Sequence, residues 1–230
     1  MGNGHGSEFH LLRYLGRHRR FLNREIEKST GGRVADWLDF PCGNTDSTVL
    51  DSEWRGLDFV SDEPVLHSYR TSFWPQTGNL PNWDAIGVLE LNSTQEYLLV
   101  EAKAHTQEMI SKCGASNATS LAMIREALSK VITASGSGEE VEKWLTPYYQ
   151  YANRLSHLDF LLQHDVPARL IFVYSYGDKW PDGRTVDCPR DAEGWRPHIQ
   201  LIHDRLGLKG HGQLEKRVHS VFLPVVQTET

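Results

Sequence analysis

The run Tyr97-Leu98-Leu99-Val100-Glu101-Ala102-Lys103 most constrains what this chain can fold into. It is apolar without the alternation of a half-exposed strand, so both faces of the strand are predicted to be covered. Burial makes Glu101 and Lys103 costly unless each has a partner or a task. A second apolar run, Ala85-Ile86-Gly87-Val88-Leu89, precedes it, and the polar Asn92-Ser93-Thr94-Gln95 reads as the turn between the two. Asp84, beside Trp83, opens that first run and poses the same question as Glu101.

A hairpin centred on this turn sets Asp84 opposite Lys103, with Glu101 one diagonal away at roughly 7–8 Å. A slip of two residues sets Asp84 opposite Glu101 and keeps all three side chains on one face. Two carboxylates so close repel unless a cation lies between them. Hard oxygen ligands of this kind suit Mg²⁺, with Mn²⁺ as a substitute. The bland alternative is a turn-capping Asp84 and an ordinary cross-strand ion pair between Glu101 and Lys103.

At these residues the chain resembles the PD-(D/E)xK phosphodiesterase superfamily. Asp84 stands before the hairpin, and Glu101-Ala102-Lys103 ends it. The resemblance implies a restriction-endonuclease-like core: an α/β fold with a central mixed sheet flanked by helices, here with additional helices. It also implies that Asp84, Glu101 and the backbone of Ala102 hold Mg²⁺, and that Lys103 positions or activates the attacking water. The proline that normally precedes the aspartate is displaced to Pro81. The motif covers about a tenth of the chain.

Residues 8–28 carry Leu11, Leu12, Leu15, Leu22 and Ile26 at helical spacing, and Gly31-Gly32 ends the helix. Glu25 falls at the edge of that apolar face and Glu27 off it. Many superfamily members carry a metal-completing glutamate on such a helix, so Glu25 is the expected third carboxylate. Arg17-His18-Arg19-Arg20 is the densest basic cluster, and Arg19 and Arg20 are expected nucleic-acid contacts. Residues 33–70 are acidic and irregular, anchored by Trp37, Phe40, Trp54 and Phe59. The stretch 69–74 reads as a strand. The turn-rich 75–82 delivers the chain to Asp84, with Gln76 and Asn79 as candidate substrate contacts.

Past Lys103, helices are predicted over 106–112 and 118–131, and Ser135-Gly136-Ser137-Gly138 is a flexible link. Thr146-Pro147 reads as the start of a helix running to about His164. Gln150, Arg154 and His157 form a polar row on it, and Gln150 and Arg154 are further expected nucleic-acid contacts. A glutamine- and tyrosine-bearing helix after the ExK strand resembles the RecB-like branch of the superfamily, although Arg154 stands where that branch has tyrosine. Residues 168–175 are a buried strand, parallel to an earlier one because a helix precedes it. A helix over 195–206 and a strand over 218–226 follow.

The 230 residues suit one nuclease-like domain. Net charge is −6, which argues against a protein that coats nucleic acid by bulk charge but permits a local basic groove. No apolar run approaches the ~20 residues of a membrane span. The N-terminus lacks a signal-peptide core, and three widely spaced cysteines read as free thiols of a reducing cytoplasm. The expected function is Mg²⁺-dependent hydrolysis of phosphodiesters, in DNA before RNA. The other classes compatible with these residues are a nucleic-acid-binding module that has lost cleavage and an interaction protein with a buried salt bridge.

Overall fold

A five-stranded mixed sheet organises the chain, in the order β1 (Arg33–Leu38), β4 (Ala85–Leu91), β5 (Thr94–Lys103), β6 (Ala168–Tyr176) and β7 (Val218–Pro224). The computed structural model describes residues 6–38, 53–78, 80–179, 187–210 and 212–225. Strands β1, β4 and β5 run antiparallel, whereas β6 and β7 run parallel to β5. The parallel pairings follow helical crossovers, as expected for β6. A two-stranded ribbon pairs β2 (Trp54–Arg55) with β3 (Asn82–Trp83).

The β4–β5 hairpin has a two-residue turn. Asn92 and Ser93 both take positive φ, 50° and 65°, the pattern of a turn whose twist matches its strands. Thr94 is already in β5 and pairs with Leu91. The turn is therefore shorter than the four residues read from the sequence, and the register is the one slipped by two. Gly87 sits opposite Trp37 of β1, where a Cβ would come within 3.1 Å of the indole. Glycine is what lets this ring lie across the sheet.

Alternate residues of β5 enter two cores. Leu98, Val100 and Ala102 pack with α1 (Ser7–Arg17) and α2 (Arg19–Thr30), through Leu11, Leu15, Leu22 and Ile26. Leu99 faces the other way, against α4 (Ala118–Ser135), α6 (Tyr149–Gln163) and α7 (Ala192–Leu206). This double cover explains the continuous apolar run. Short helices α3 (Glu63–Ser68) and α5 (Val141–Leu145) are the other α-helices among the described residues.

Several local expectations change. The first helix is broken at His18, whose φ of −120° and ψ of 28° are non-helical. The stretch 69–74 is no strand: Asp62 accepts from the Val65 N–H to start α3, and a π-helical turn over Tyr69–Phe73 continues it. The third strand before α4 is instead β1, in the segment read as irregular. The predicted 106–112 helix is a 3₁₀ turn over Thr106–Met109. Thr146-Pro147 does not start α6; Tyr148 precedes it without a side-chain cap, and Ser111 Oγ takes the Gln150 N–H at 2.7 Å. Gly136, with φ 67°, closes α4 rather than forming a free link. Among the described residues no helix is long and apolar enough to cross a membrane. Cys113 and Cys188 are free thiols, and Cys42 lies outside the described residues.

Candidate functional site

The hairpin register carries Asp84 one step past the last β4–β5 pair, Ala85 with Val100, and so beside Glu101. The ladder ends there irregularly. The Asp84 N–H donates to the Val100 carbonyl at 3.1 Å, and Asp84 Oδ2 accepts the Ala102 N–H at 2.6 Å. A side-chain oxygen thus takes the place of a ladder acceptor and pins the carboxylate to the strand end. Asp84 Oδ1 has no hydrogen-bond partner among the described residues.

Glu101 and Lys103 share the Leu99 face of β5 and are buried, with side-chain exposures of 2% and 10%. Lys103 Nζ donates to Glu101 Oε1 and, at 3.0 Å, to Gln150 Oε1. Arg154 Nε donates to Glu101 Oε2 at 2.8 Å. The same guanidinium reaches the Asn153 side chain and the Asn82 carbonyl, and lies 4.8 Å from the Trp83 ring centre. Trp83 is itself held by Nε1 donating to the Gly56 carbonyl at 2.8 Å. Helix α6 therefore delivers Gln150 and Arg154, one turn apart, onto the end of β5.

The two carboxylates titrate apart. Burial and the nearby Glu101 charge push Asp84 up to about 8. Burial alone would also raise Glu101, but Arg154 and Lys103 hold it below the ordinary carboxylate range. Near neutral pH the pair is then one ionised and one largely protonated acid, the usual outcome for two carboxyls sharing a site. A divalent cation would hold both ionised.

Asp84, Gln150 and Arg154 also line a cleft of about 790 Å³. Its walls come from residues 74–78 and 80–84, the segment 111–120 and the start of α6. Glu101 and Lys103 are not among its lining residues; with Gln150 they border a cavity of about 10 Å³ that holds nothing larger than a water.

Asp84, Glu101, Ala102, Lys103, Gln150 and Arg154 come together, but Arg154 and Gln150 serve first as partners of Glu101 and Lys103. Glu25 does not join them. It sits on α2, whose buried residues pack on the opposite sheet face, and its carboxylate bonds Arg24 and Lys28. The apolar-edge argument located the sheet side of the helix correctly but could not say which sheet face that helix covers. Arg19 and Arg20 are exposed on the same helix, across the sheet from the cleft. Gln76 is exposed and donates to the Trp74 carbonyl, and Asn79 lies outside the described residues.

His105, two residues beyond Lys103, meets Asp178, with Nε2 3.1 Å from Oδ2. The Gly6 N–H donates to the same oxygen, which fastens the start of α1 to the exit of β6. His157 is buried; burial pushes it down to about 3, and Nδ1 meets the Asn153 carbonyl at 2.7 Å. It is a neutral packing group.

Sequence reasoning missed Glu53, Asn82 and Asn153. Glu53 lines the cleft and contributes to the upward shift of Asp84. It sits in an acidic stretch with no periodicity, where no local pattern distinguished it from its neighbours. Among the described residues no group of three or more His, Cys, Asp or Glu side chains is arranged to hold a metal ion. Two carboxylates, Asp84 and Glu101, remain, which suits Mg²⁺ because it commonly keeps several waters and uses one or two carboxylates with substrate phosphate. No family model, curated protein or solved structure matches the chain.

Proposed function

We propose that the protein is a Mg²⁺-dependent nuclease, with a restriction-endonuclease-like core, that hydrolyses phosphodiester bonds in DNA. The observation that carries this reading is Asp84 beside Glu101 on the wall of the cleft, its pKa raised to about 8 by burial and by that neighbour. Such a pair has no purpose in a salt bridge, which Glu101, Lys103 and Arg154 complete without Asp84. The order of helices, an antiparallel trio of strands, a helical crossover and a parallel strand supports the same reading.

In this reading Asp84 and Glu101 hold the metal. Asp84 Oδ1, without a partner among the described residues, is the position left for the metal, and Lys103 keeps Gln150 as an acceptor if Glu101 Oε1 is released. Bound Mg²⁺ supplies polarisation of the phosphate and a more acidic water. Lys103 neutralises charge that develops at phosphorus, or orients the water. Arg154 holds Glu101 ionised and in place, and Trp83 holds Arg154.

A second reading has one observation in its favour: both Glu101 oxygens are already in ion pairs. It makes the cluster the anchor of α6 in a binding or interaction protein without cleavage. Incubation of the protein with linear, circular and single-stranded DNA, in Mg²⁺, Mn²⁺ or EDTA, decides. Metal-dependent cleavage lost in Asp84→Asn supports the nuclease. Failure of the parent to bind Mn²⁺ in calorimetry supports the anchor.

A further inference from the structure

We infer that Glu53 is a third carboxylate of the metal site and accepts a hydrogen bond from water on the bound ion. The inference rests on the reading of Asp84 and Glu101 as metal ligands. Strand register points to it. In the two-stranded ribbon Trp54 lies opposite Trp83 and Arg55 opposite Asn82. One step past the Trp54–Trp83 pair stand Glu53 and Asp84. One step past the Ala85–Val100 pair of the hairpin stand Asp84 and Glu101. Asp84 is thus the single residue between β3 and β4, and each of its two ladders brings an acid beside it. Opposite residues of an antiparallel pair project to the same side. Glu53 and Asp84 do so here, since both line the cleft.

The surroundings of Glu53 give it no structural task. It is partly buried, yet among the described residues no hydrogen bond or ion pair holds its carboxylate. The buried acids Glu96, Glu101 and Asp178 differ. Glu96 has Arg169 and Arg217, Glu101 has Lys103 and Arg154, and Asp178 has the Gly6 N–H. The described cations on the cleft wall are Lys112, which is exposed, and Arg154, which is committed to Glu101. Two acids that face one space without a cation repel each other. An ion held by Asp84 would relieve that repulsion. Among the described residues no three such side chains are arranged to ligate one ion directly. Mg²⁺ held by one or two carboxylates keeps several waters, and these donate to acceptors around it. Water is therefore the link between Glu53 and the ion.

The test is calorimetric titration of the full chain with Mn²⁺, without nucleic acid, beside urea denaturation in EDTA. Glu53→Gln keeps the shape and loses the charge. It is expected to weaken Mn²⁺ binding about tenfold, the low end for removing an outer partner of a metal site. Its metal-free stability should equal or exceed the parent's, because a repulsion is gone. Glu53→Asp keeps the charge but withdraws it by one carbon. It too is expected to weaken Mn²⁺ severalfold, because a hydrogen bond needs a reach that a long-range field does not. Glu193→Gln, at an exposed acid of α7 outside the cleft lining, should bind Mn²⁺ like the parent. A Glu53→Asp protein that binds as tightly as the parent reduces Glu53 to a distant charge and overturns the water contact. A Glu53→Gln protein that binds like the parent, or that loses stability in EDTA, overturns the inference while Asp84 and Glu101 stand as ligands. A parent that binds no Mn²⁺ removes the inference together with the metal reading beneath it.

Discussion

Strand β5 carries a buried glutamate near each end, and the two are used differently. Glu96, at the start, bonds Arg169 and, at 2.7 Å, Arg217. Glu101, near the finish, bonds Lys103 and Arg154. Their positions differ by an odd number, so they project from opposite faces of the sheet. At the Glu96 end two cations meet one carboxylate, and His219, pushed down by burial and by Arg169, stays neutral between Arg169 and Ser29. At the Glu101 end two cations meet one carboxylate plus Asp84, with Glu53 near. A buried glutamate with two cationic partners is thus no sign of function by itself. The sign is the surplus carboxylate, held above its ordinary pKa, at the wall of a cleft.

The sharpest break between the two ends should be in catalysis. Asp84→Asn is expected to abolish metal-dependent cleavage, and Lys103→Met to lower its rate by roughly 10²–10³, the effect of removing one preorganised donor. Glu96→Gln should leave the rate within a factor of two of the parent when assayed below its melting temperature. A Lys103→Met protein that cleaves like the parent removes the lysine from the chemistry.

Stability should separate the ends next. Arg154→Leu leaves Glu101 Oε2 buried without a partner while Lys103 keeps Oε1, which costs about 3 kcal/mol, the low end for breaking a buried pair. Arg217, with a third of its side chain exposed and Arg169 still on Glu96, should cost about 1 kcal/mol or less as Arg217→Leu. Urea denaturation of both variants without metal measures this directly, and equal losses would erase the distinction.

Metal should then recognise one end. Mn²⁺ is expected to raise the melting temperature of the parent and of Glu96→Gln, but not of Asp84→Asn. The rise should grow with pH toward 8, because the ion competes with the proton on Asp84.

The smallest effect is the metal-free pH profile. Asp84 is held at about 8 in the fold and near 4 in the unfolded chain, so between those values the folded state carries the extra proton. Its contribution to stability therefore falls as pH rises through that window. Asp84→Asn removes the titration and should match the parent near pH 4, then gain on it up to pH 8. His157, pushed down to about 3, works in the opposite sense, favouring the fold as pH rises to about 6.5. It is present in both proteins and cancels in the difference. A gap that does not widen with pH would mean that neither burial nor Glu101 raises Asp84 in the fold.

What could be read along the chain was what depends on neighbours in sequence. The apolar run 97–100 required a strand covered on both faces, and it is. Parity put Glu101 and Lys103 on one side and left Asp84 with them under either register, because a slip of two preserves facing. The crossover to β6 followed from the helix before it. The choice between registers lay in the backbone of Asn92 and Ser93: Asn92 favours the positive φ it takes, but Ser93 gives no sign of its own. Strand β1 was hidden because its pairing with β4 comes from a segment more than forty residues away, and its tryptophan needs Gly87 to lie flat.

The fate of each charge was beyond local pattern altogether. Glu25 has the amphipathic position of an inward residue, yet the sheet face that its helix covers is set by how α1 and α2 pack, and that face is the wrong one. Arg154 reads as a polar helix position and becomes the buried partner of Glu101 because α6 lies on the Leu99 face. Helical and strand periods establish which side of an element is apolar. Which two such sides meet, and therefore which charges share a dielectric, is decided when the layers pack.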